Sequence, residues 1–336
     1  MHEIIDNDIK NIIDSINFKC LKNKSILITG ASGLLGIYLM GCLKELHKKL
    51  NITVYSWTKT SIPDNFKYFF DFNCHKIIGD ISDISIYKKL PYFDFIIHAA
   101  GYGQPGKFLE NKLRTIQINT TATVELLSKL HTKGKFLFIS TSELYSGLNK
   151  LNIAEDEIGI TNTDHPRASY IEGKRCGEAV CHSFNSDSHQ VKIARLSLAY
   201  GPGTKMDDQR VLNSLINKAM NNDYIELMDQ GAAIRTYCYV SDIVEMLWNI
   251  LFLGKSTVYN VGGHSKITIL ELAKRIGKLF DKKVKIPAKG KSLLGSPKTV
   301  NISIKRYMDE FKKTSFIDIQ EGLARTIQWQ KENYGK

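Results

Sequence analysis

Residues 25–46 read SILITGASGLLGIYLMGCLKEL. SILITG is a short apolar run ending in glycine, and ASGLLGIYLMGCLKEL continues it with apolar residues at helical spacing. Strand, glycine-rich turn and helix in that order predict the opening unit of an α/β fold, a Rossmann doubly wound parallel sheet. Each glycine has a physical job: Gly30 makes the tight turn, Gly33 lets backbone approach a pyrophosphate, and Gly36 lets the helix pack on the strand. The pyrophosphate would lie at the helix N-terminus, where free N–H groups and the macrodipole favour an anion. The cofactor cradle is therefore read as Gly30, Ser32, Gly33, Leu34, Leu35 and Gly36.

The next strand, ITVYSWTKT, departs from the usual pattern. An NAD site has an acid roughly 20 residues past the glycines to bind the ribose hydroxyls, but here stand Ser56, Trp57, Thr58 and Lys59. Lys59 suits a 2′-phosphate, which leaves NADP open beside NAD; it equally suits a solvated loop. KIIGDISD brings Asp80, with Ile81 after it, to where an acid meets the adenine, although Asp80 would also serve as a helix cap. FDFIIHAAG (93–101) is a buried strand whose small terminal residues Ala99, Ala100 and Gly101 leave room for a cofactor. His98 fits a packed strand position better than a ligand. TIQINTTATVELLSKL then reads as one amphipathic helix bearing Asn119, a candidate to orient a lysine through water.

Tyr170 and Lys174 lie in ASYIEGKRCGE, four residues apart, hence on one face of a helix. The lysine's charge favours the phenolate and is expected to lower the tyrosine from about 10 toward working pH, giving a general base. Upstream, FLFISTSELYS (136–146) delivers Ser140, Thr141, Ser142 and Glu143 at a strand end, where a hydroxyl can bond the group that Tyr170 deprotonates. Taken singly, these hydroxyls fit a strand-end turn and Glu143 fits a cap or a surface acid.

As a set, TGASGLLG, HAAG, Asn119 and YIEGK resemble the extended short-chain dehydrogenase/reductase family of epimerases and dehydratases. RLSLAYGPG (195–203), DDQRVLNSLI (207–216), IRTYCYVSDIVEML (234–247) and YNVGG (259–263) follow in the family's order. SPKTVNISIKRYM and EGLARTIQWQKEN look like its closing segments, so the resemblance covers the chain beyond about residue 24. It implies a nucleotide-diphosphate sugar as substrate, oxidised transiently at C4, with Lys174 also holding the nicotinamide ribose. The family's 4,6-dehydratases usually carry Thr-Asp-Glu at the strand end and its plain epimerases lack the Glu. Thr141-Ser142-Glu143 looks like the UDP-glucuronate decarboxylases. By that likeness Thr141, Ser142, Glu143, Tyr170, Lys174 and Arg235 are catalytic, and Lys107, Arg210 and Arg235 bind substrate. Arg235 would position the carboxylate; as an ordinary strand arginine it would pair with Asp242. Leu198 stands where the decarboxylases have Asn, and Gly203 where they have Arg, which leaves a 4-epimerase or a dehydratase open.

The 336 residues are 43% hydrophobic and 24% charged, the composition of a globular chain, with no apolar run of the roughly 18 residues that span a membrane. The N-terminus, MHEIIDNDIKNIIDSI, lacks signal-peptide regions and carries isoleucines at helical spacing. An amphipathic helix is expected within 1–23, then a cofactor domain over 24–180 with a returning segment near 211–260, and a nucleotide-sugar lobe from 181–210 and 261–336. The formal charge of +12 is spread over scattered lysines rather than a stripe, which argues against nucleic acid. Six cysteines without C-x-x-C or metal spacing read as reduced thiols in a cytoplasmic protein without a metal. No membrane partner is expected, and the resemblance implies a homodimer. The competing class is a non-catalytic dinucleotide-binding protein.

Overall fold

The computed structural model describes residues 2–288, 290, 299 and 301–335; of the closing segment SPKTVNISIKRYM, residues 296–298 and 300 lie outside them. The chain opens with α1 (Glu3–Ser15) and then alternates: β1 (Ser25–Thr29), α2 (Leu34–Leu50), β2 (Thr53–Thr58), β3 (Cys74–Ile78), α3 (Ile84–Tyr87), β4 (Phe93–His98), α4 (Pro105–Glu110), α5 (Lys112–Asn119), α6 (Thr121–Leu127) and β5 (Leu130–Thr141). There follow α7 (Ala168–Phe184), β6 (Gln190–Leu196), β7 (Leu198–Tyr200), α8 (Val211–Asn221), β8 (Tyr224–Glu226), β9 (Ile234–Tyr239), α9 (Val240–Leu253) and β10 (Val258–Val261). The last elements are β11 (Ser265–Thr268), α10 (Ile269–Phe280), β12 (Lys283–Lys285), α11 (Lys305–Phe311) and α12 (Ile319–Tyr334).

Seven strands form a parallel sheet in the order β3-β2-β1-β4-β5-β6-β10. Side chains alternate between its faces, and both faces are dry. Ile26, Ile28, Phe95, Ile97, Leu137 and Ile139 join the core that holds α1, α2 and α9, while Leu27, Ile96, Phe136 and Phe138 join the core beneath α6 and α7. The order reverses between β1 and β4, the switch point at which a doubly wound sheet opens a ligand crevice. Two small sheets complete the molecule: β9 pairs antiparallel with β11 and parallel with β7, and β12 pairs parallel with β8.

The helix expected across 115–130 is broken. Thr120 separates α5 from α6, and Thr115, Thr120 and Thr123 each turn a hydroxyl back to the carbonyl four residues earlier, which loosens the ladder. The expected N-terminal helix is present as α1, with Ile5, Ile9 and Ile12 buried in the core shared with α2 and α9. Its buried face also carries Asp8, which accepts hydrogen bonds from Tyr38 (3.1 Å), Tyr239 (2.9 Å) and Arg325 (2.9 Å). No described helix is long and apolar enough to cross a membrane. All six cysteines are free thiols.

Candidate active site

The cradle forms where β1 runs into α2. Gly30 has φ +69°, and a Cβ there would stand 2.7 Å from the Ala99 carbonyl oxygen, so any side chain would collide with the neighbouring strand end. The Gly33 amide closes the turn on the Gly30 carbonyl at 2.9 Å, and Gly33 leaves the first turn of α2 without a side-chain cap. Ser32, Gly33, Leu34 and Leu35 are half-buried along this edge and Gly36 is buried beneath it. Thr29 accepts from the Ala100 amide (3.2 Å) and meets His98 Nδ1 (2.9 Å), fixing Ala99, Ala100 and Gly101 opposite the cradle. His98 also faces the Ile118 carbonyl at 3.1 Å, and burial pushes its pKa down to about 3. It is a neutral packed histidine, as its strand position implied.

At the far end of the crevice, Lys59 lies 3.5 Å from Asp80 and 3.1 Å from the Tyr102 hydroxyl, and Arg114 reaches the same carboxylate at 3.0 Å. Burial raises the Asp80 carboxyl, but bonds from Ser82 together with Arg114 and Lys59 outweigh it and hold it below the usual range. Asp80 makes a local turn with Ser82; the cap of α3 is Asp83, which accepts from Ser85. Ile81 is buried beside Asp80.

Tyr170 and Lys174 lie on α7 as expected, but their electrostatics reverse the expectation. Burial pushes Tyr170 up to about 12, Glu143 adds repulsion, and Thr141, Arg210 and Arg167 recover only part of this. Lys174 is not among the leading contributions to the Tyr170 shift. Burial drives Lys174 itself down to about 7, against the pull of Glu178, and it donates to the Ile139 carbonyl at 2.6 Å. With its pKa lowered to about 7, the lysine is only partly charged near neutrality, which weakens its pull on the phenol. Asn119 comes close because α5 and α7 touch at Gly177, where a Cβ would lie 2.5 Å from the Asn119 carbonyl. Its amide nitrogen bonds the Thr115 carbonyl at 2.7 Å, and its buried Oδ1 has no partner among the described residues.

β5 delivers the strand-end groups. The Thr141 hydroxyl accepts the Glu143 amide at 3.2 Å, and Ser142 is buried beside it. Ser140 points inward, donating to Glu178 at 2.5 Å. Glu178 is clamped by Arg195 (2.7 Å), which in turn donates to the Tyr145 hydroxyl (2.9 Å), so this group is scaffold. Glu143 is neither cap nor surface acid: its Oε1 meets Arg167 Nη1 at 2.5 Å, and its buried Oε2 has no partner among the described residues. Arg167 escaped the sequence reading, although it stands three residues before Tyr170, at the start of the same helix. Arg235 reaches the same neighbourhood, where burial lowers its pKa, Tyr237 and Glu143 raise it, and Arg167 lowers it further. Asp242, the alternative partner for Arg235, holds Lys313 at 3.0 Å and the Ile317 amide at 2.9 Å. Arg210 forms a bidentate pair with Asp208 and lies near enough to Tyr170 to lower it, whereas Lys107 is exposed and pairs with Asp207 at 3.1 Å. Phe108, also unmarked in the sequence, lies flat on Tyr170.

A phosphate cradle at a switch point, facing a buried Tyr–Lys pair, defines the class of dinucleotide-dependent enzymes that oxidise a hydroxyl. The model of the NAD-dependent epimerase/dehydratase family matches residues 26–262, and this chain belongs to that family. It is 28% identical over 308 residues to UDP-glucuronic acid decarboxylase 1 of Danio rerio, covering 91% of this chain and 72% of that protein. It is 28% identical over 270 residues to UDP-glucuronic acid decarboxylase 5 of Arabidopsis thaliana, covering 80% of this chain and 78% of the relative. Among solved structures, the UDP-glucuronic acid 4-epimerase of Bacillus cereus, in complex with UDP-glucuronic acid and NAD, superposes with a TM-score of 0.78 at 22% identity, covering 92% of this chain and 100% of that one. Epimerase Mth375 of Methanothermobacter thermautotrophicus gives 0.81 at 22% identity, covering 96% of each chain.

The cofactor of the family is NAD. The cradle that only a glycine at position 30 can line and the orphaned Asn119 oxygen, on the residue packed against Gly173 and Gly177 of α7, both fit such a group.

Proposed function

We propose that this chain decarboxylates a nucleotide-diphosphate-linked hexuronate, UDP-glucuronate first among candidates, by transient oxidation at the sugar's C4. The observation that carries the reading is the Glu143–Arg167 pair with Arg235 beside it. Arg167 holds Glu143, and Arg235 lies within electrostatic reach of both, so cationic groups border the place proposed for the substrate's carboxylate. The resemblance of Thr141-Ser142-Glu143 to decarboxylases, and the 28% identity to proteins bearing that name, support the same choice.

NAD, when bound, would supply the oxidation at C4 as hydride acceptor, the reduced cofactor either returning the hydride or leaving. Gly30, Ser32, Gly33, Leu34, Leu35 and Gly36 would hold its pyrophosphate, with Asp80 and Ile81 near the adenine and Ala99, Ala100 and Gly101 along its course. Lys59 is engaged by Asp80 and Tyr102, which favours NAD over its 2′-phosphorylated form. Tyr170 takes the C4 hydroxyl proton while Thr141 bonds the same oxygen. Thr141, Arg210 and Arg167 favour the phenolate against burial, and Lys174 binds the ribose, with Asn119 steadying it through water. The resulting ketone is β to the carboxylate, so the C5–C6 bond breaks as CO2 leaves and its electrons move toward the C4 oxygen. Ser142 and Glu143 deliver the proton to C5, and Arg235 positions the carboxylate and stabilises the developing charge. Arg210 and Lys107 contact the diphosphate.

We assign the chain two lobes, with a segment near 211–260 returning to the cofactor side; within that segment α9 packs on the seven-stranded sheet and β10 joins it. We place the protein in the cytoplasm as a homodimer, joined through the exposed Leu113 and Ile116 of α5 and Val124 of α6.

The test incubates the purified protein with UDP-glucuronate, UDP-glucose and dTDP-glucose, with and without added NAD, and follows products by mass. Loss of CO2 supports decarboxylation. An isomer of unchanged mass means epimerisation, and loss of one water means dehydration. Turnover of none would leave a dinucleotide-binding protein, and full activity in Tyr170→Phe would sink the mechanism.

A further inference from the structure

Phe108 sits on α4, the six-residue helix after the Ala99–Gly101 strand end. Its ring is 1% exposed and covers the face of Tyr170, with centroids 4.5 Å apart and planes 4° from parallel. The Arg167 guanidinium stands 5.7 Å from the centre of the same ring. One apolar side chain therefore touches both the phenol and the arginine that holds Glu143. The segment bearing it is tied to the 204–210 stretch at two places. Lys107 Nζ lies 3.1 Å from Asp207, and the Gln209 amide donates to Gln104 Oε1 at 3.2 Å. Both ties are polar and open to water, while the ring between them is buried.

We propose that Phe108 is a positioning residue for the oxidation step: stacked on Tyr170, it fixes the plane of the phenol and keeps water from that face. The proposal rests on Tyr170 being the base. A phenol free to swing on its two side-chain torsions visits many orientations, and only a narrow set aims its oxygen at a bound hydroxyl. A flat ring in van der Waals contact removes most of that freedom. The same contact excludes solvent, and burial is the leading cause of the raised Tyr170 pKa. An aliphatic side chain of similar bulk would exclude water almost as well without imposing a plane, so the two effects separate by substitution. The ties to Asp207 and Gln209 join the segment bearing Phe108 to the stretch that also carries Arg210.

The experiment measures formation of reduced nicotinamide against pH in single turnovers, with NAD and UDP-glucuronate, for Phe108→Ala, Phe108→Leu and Phe108→Tyr. Phe108→Ala is expected to slow hydride transfer by about 10-fold or more and to move the acid limb of the profile down by about one pH unit, because the phenol gains water. Phe108→Leu should slow the step with a smaller move of the limb, and Phe108→Tyr should restore both rate and limb. A wild-type rate in Phe108→Ala, or a slowed rate with an unmoved limb, overturns the proposal. If melting shows that Phe108→Ala does not fold, Phe108→Leu and Phe108→Tyr decide: equal slowing in both overturns it, and rescue by Tyr alone supports it. Tyr170→Phe is run alongside. Retained turnover there rejects the base assignment itself, whereas an inactive Tyr170→Phe with pH-insensitive Phe108 variants rejects the positioning role alone.

Discussion

Asp8 is 1% exposed, and replacing it with asparagine gives the most quantitative test of the structure. Its carboxylate joins four elements: α1, Tyr38 of α2, Tyr239 at the end of β9, and Arg325 of α12. Burial pushes the carboxyl from 3.8 to about 6; bonds from Tyr239 and Tyr38 and the charge of Arg325 pull it down, and Asp242 adds to the rise. Since the folded pKa lies above the unfolded one, the folded chain holds a proton in the window from 3.8 to about 6 that the unfolded chain has lost. Stability from this group is thus complete below 3.8 and is lost as pH rises through about 6. At about 1.4 kcal/mol per pH unit the loss is about 3 kcal/mol. The asparagine in Asp8→Asn has no charge to lose, and every other carboxylate is common to both proteins. Urea unfolding of wild type and Asp8→Asn at intervals from pH 4 to 7 should therefore give a stability difference that shifts against the wild type by about 2–3 kcal/mol as pH rises. Parallel stability curves would refute the claim that a buried, protonatable carboxyl fastens α1.

Other outcomes follow from the site. Gly30→Ala should abolish NAD binding, by titration calorimetry of the folded protein, because its Cβ would press on the Ala99 carbonyl at 2.7 Å. Arg167→Met should leave Glu143 buried without its partner; turnover should fall about 100-fold or more, with stability reduced by about 2–4 kcal/mol, read by kcat and urea unfolding. Leu113→Glu, at a side chain 80% exposed, should convert a dimer to monomer by light scattering while leaving the single-chain melt nearly unchanged.

The glycine turn, the parallel strands and the Tyr170–Lys174 pair were legible because each is a local pattern: a spacing, an alternation, a run of small residues. Thr141, Ser142, Glu143 and Arg235 were singled out only through likeness to a family, and their roles remain proposals. What escaped depends on distant chain meeting in space. Arg167 is an ordinary loop arginine until Glu143, on another element, is brought to 2.5 Å, and Phe108 is an ordinary helix phenylalanine until Tyr170 lies against it. The sign of the Tyr170 shift also escaped, since spacing reveals a nearby lysine but not how dry the place is for both groups. The break at Thr120 could have been read, because three threonines able to bond their own backbone fall within one helical stretch. Asp8 ran against its own pattern: isoleucines marked the buried face of α1, and an acid among them would be placed outside.

Tyr170, Lys174 and Glu178 descend α7 at four-residue steps, and Glu178 is anchored below by Arg195. Ser142 and Glu143 belong to the turn after β5, and Arg235 to β9. The proposed oxidising apparatus and the proposed product-determining groups are thus inherited on separate pieces of chain. A lineage could exchange Ser142 or Arg235 by point substitution without dismantling the α7 column, whereas Glu143 would have to change together with its partner Arg167 at the start of α7. Drift between epimerising, dehydrating and decarboxylating enzymes would need no refolding. An engineer seeking a new product would leave Tyr170, Lys174 and Glu178 alone and vary Ser142 and Arg235, changing Glu143 only together with Arg167.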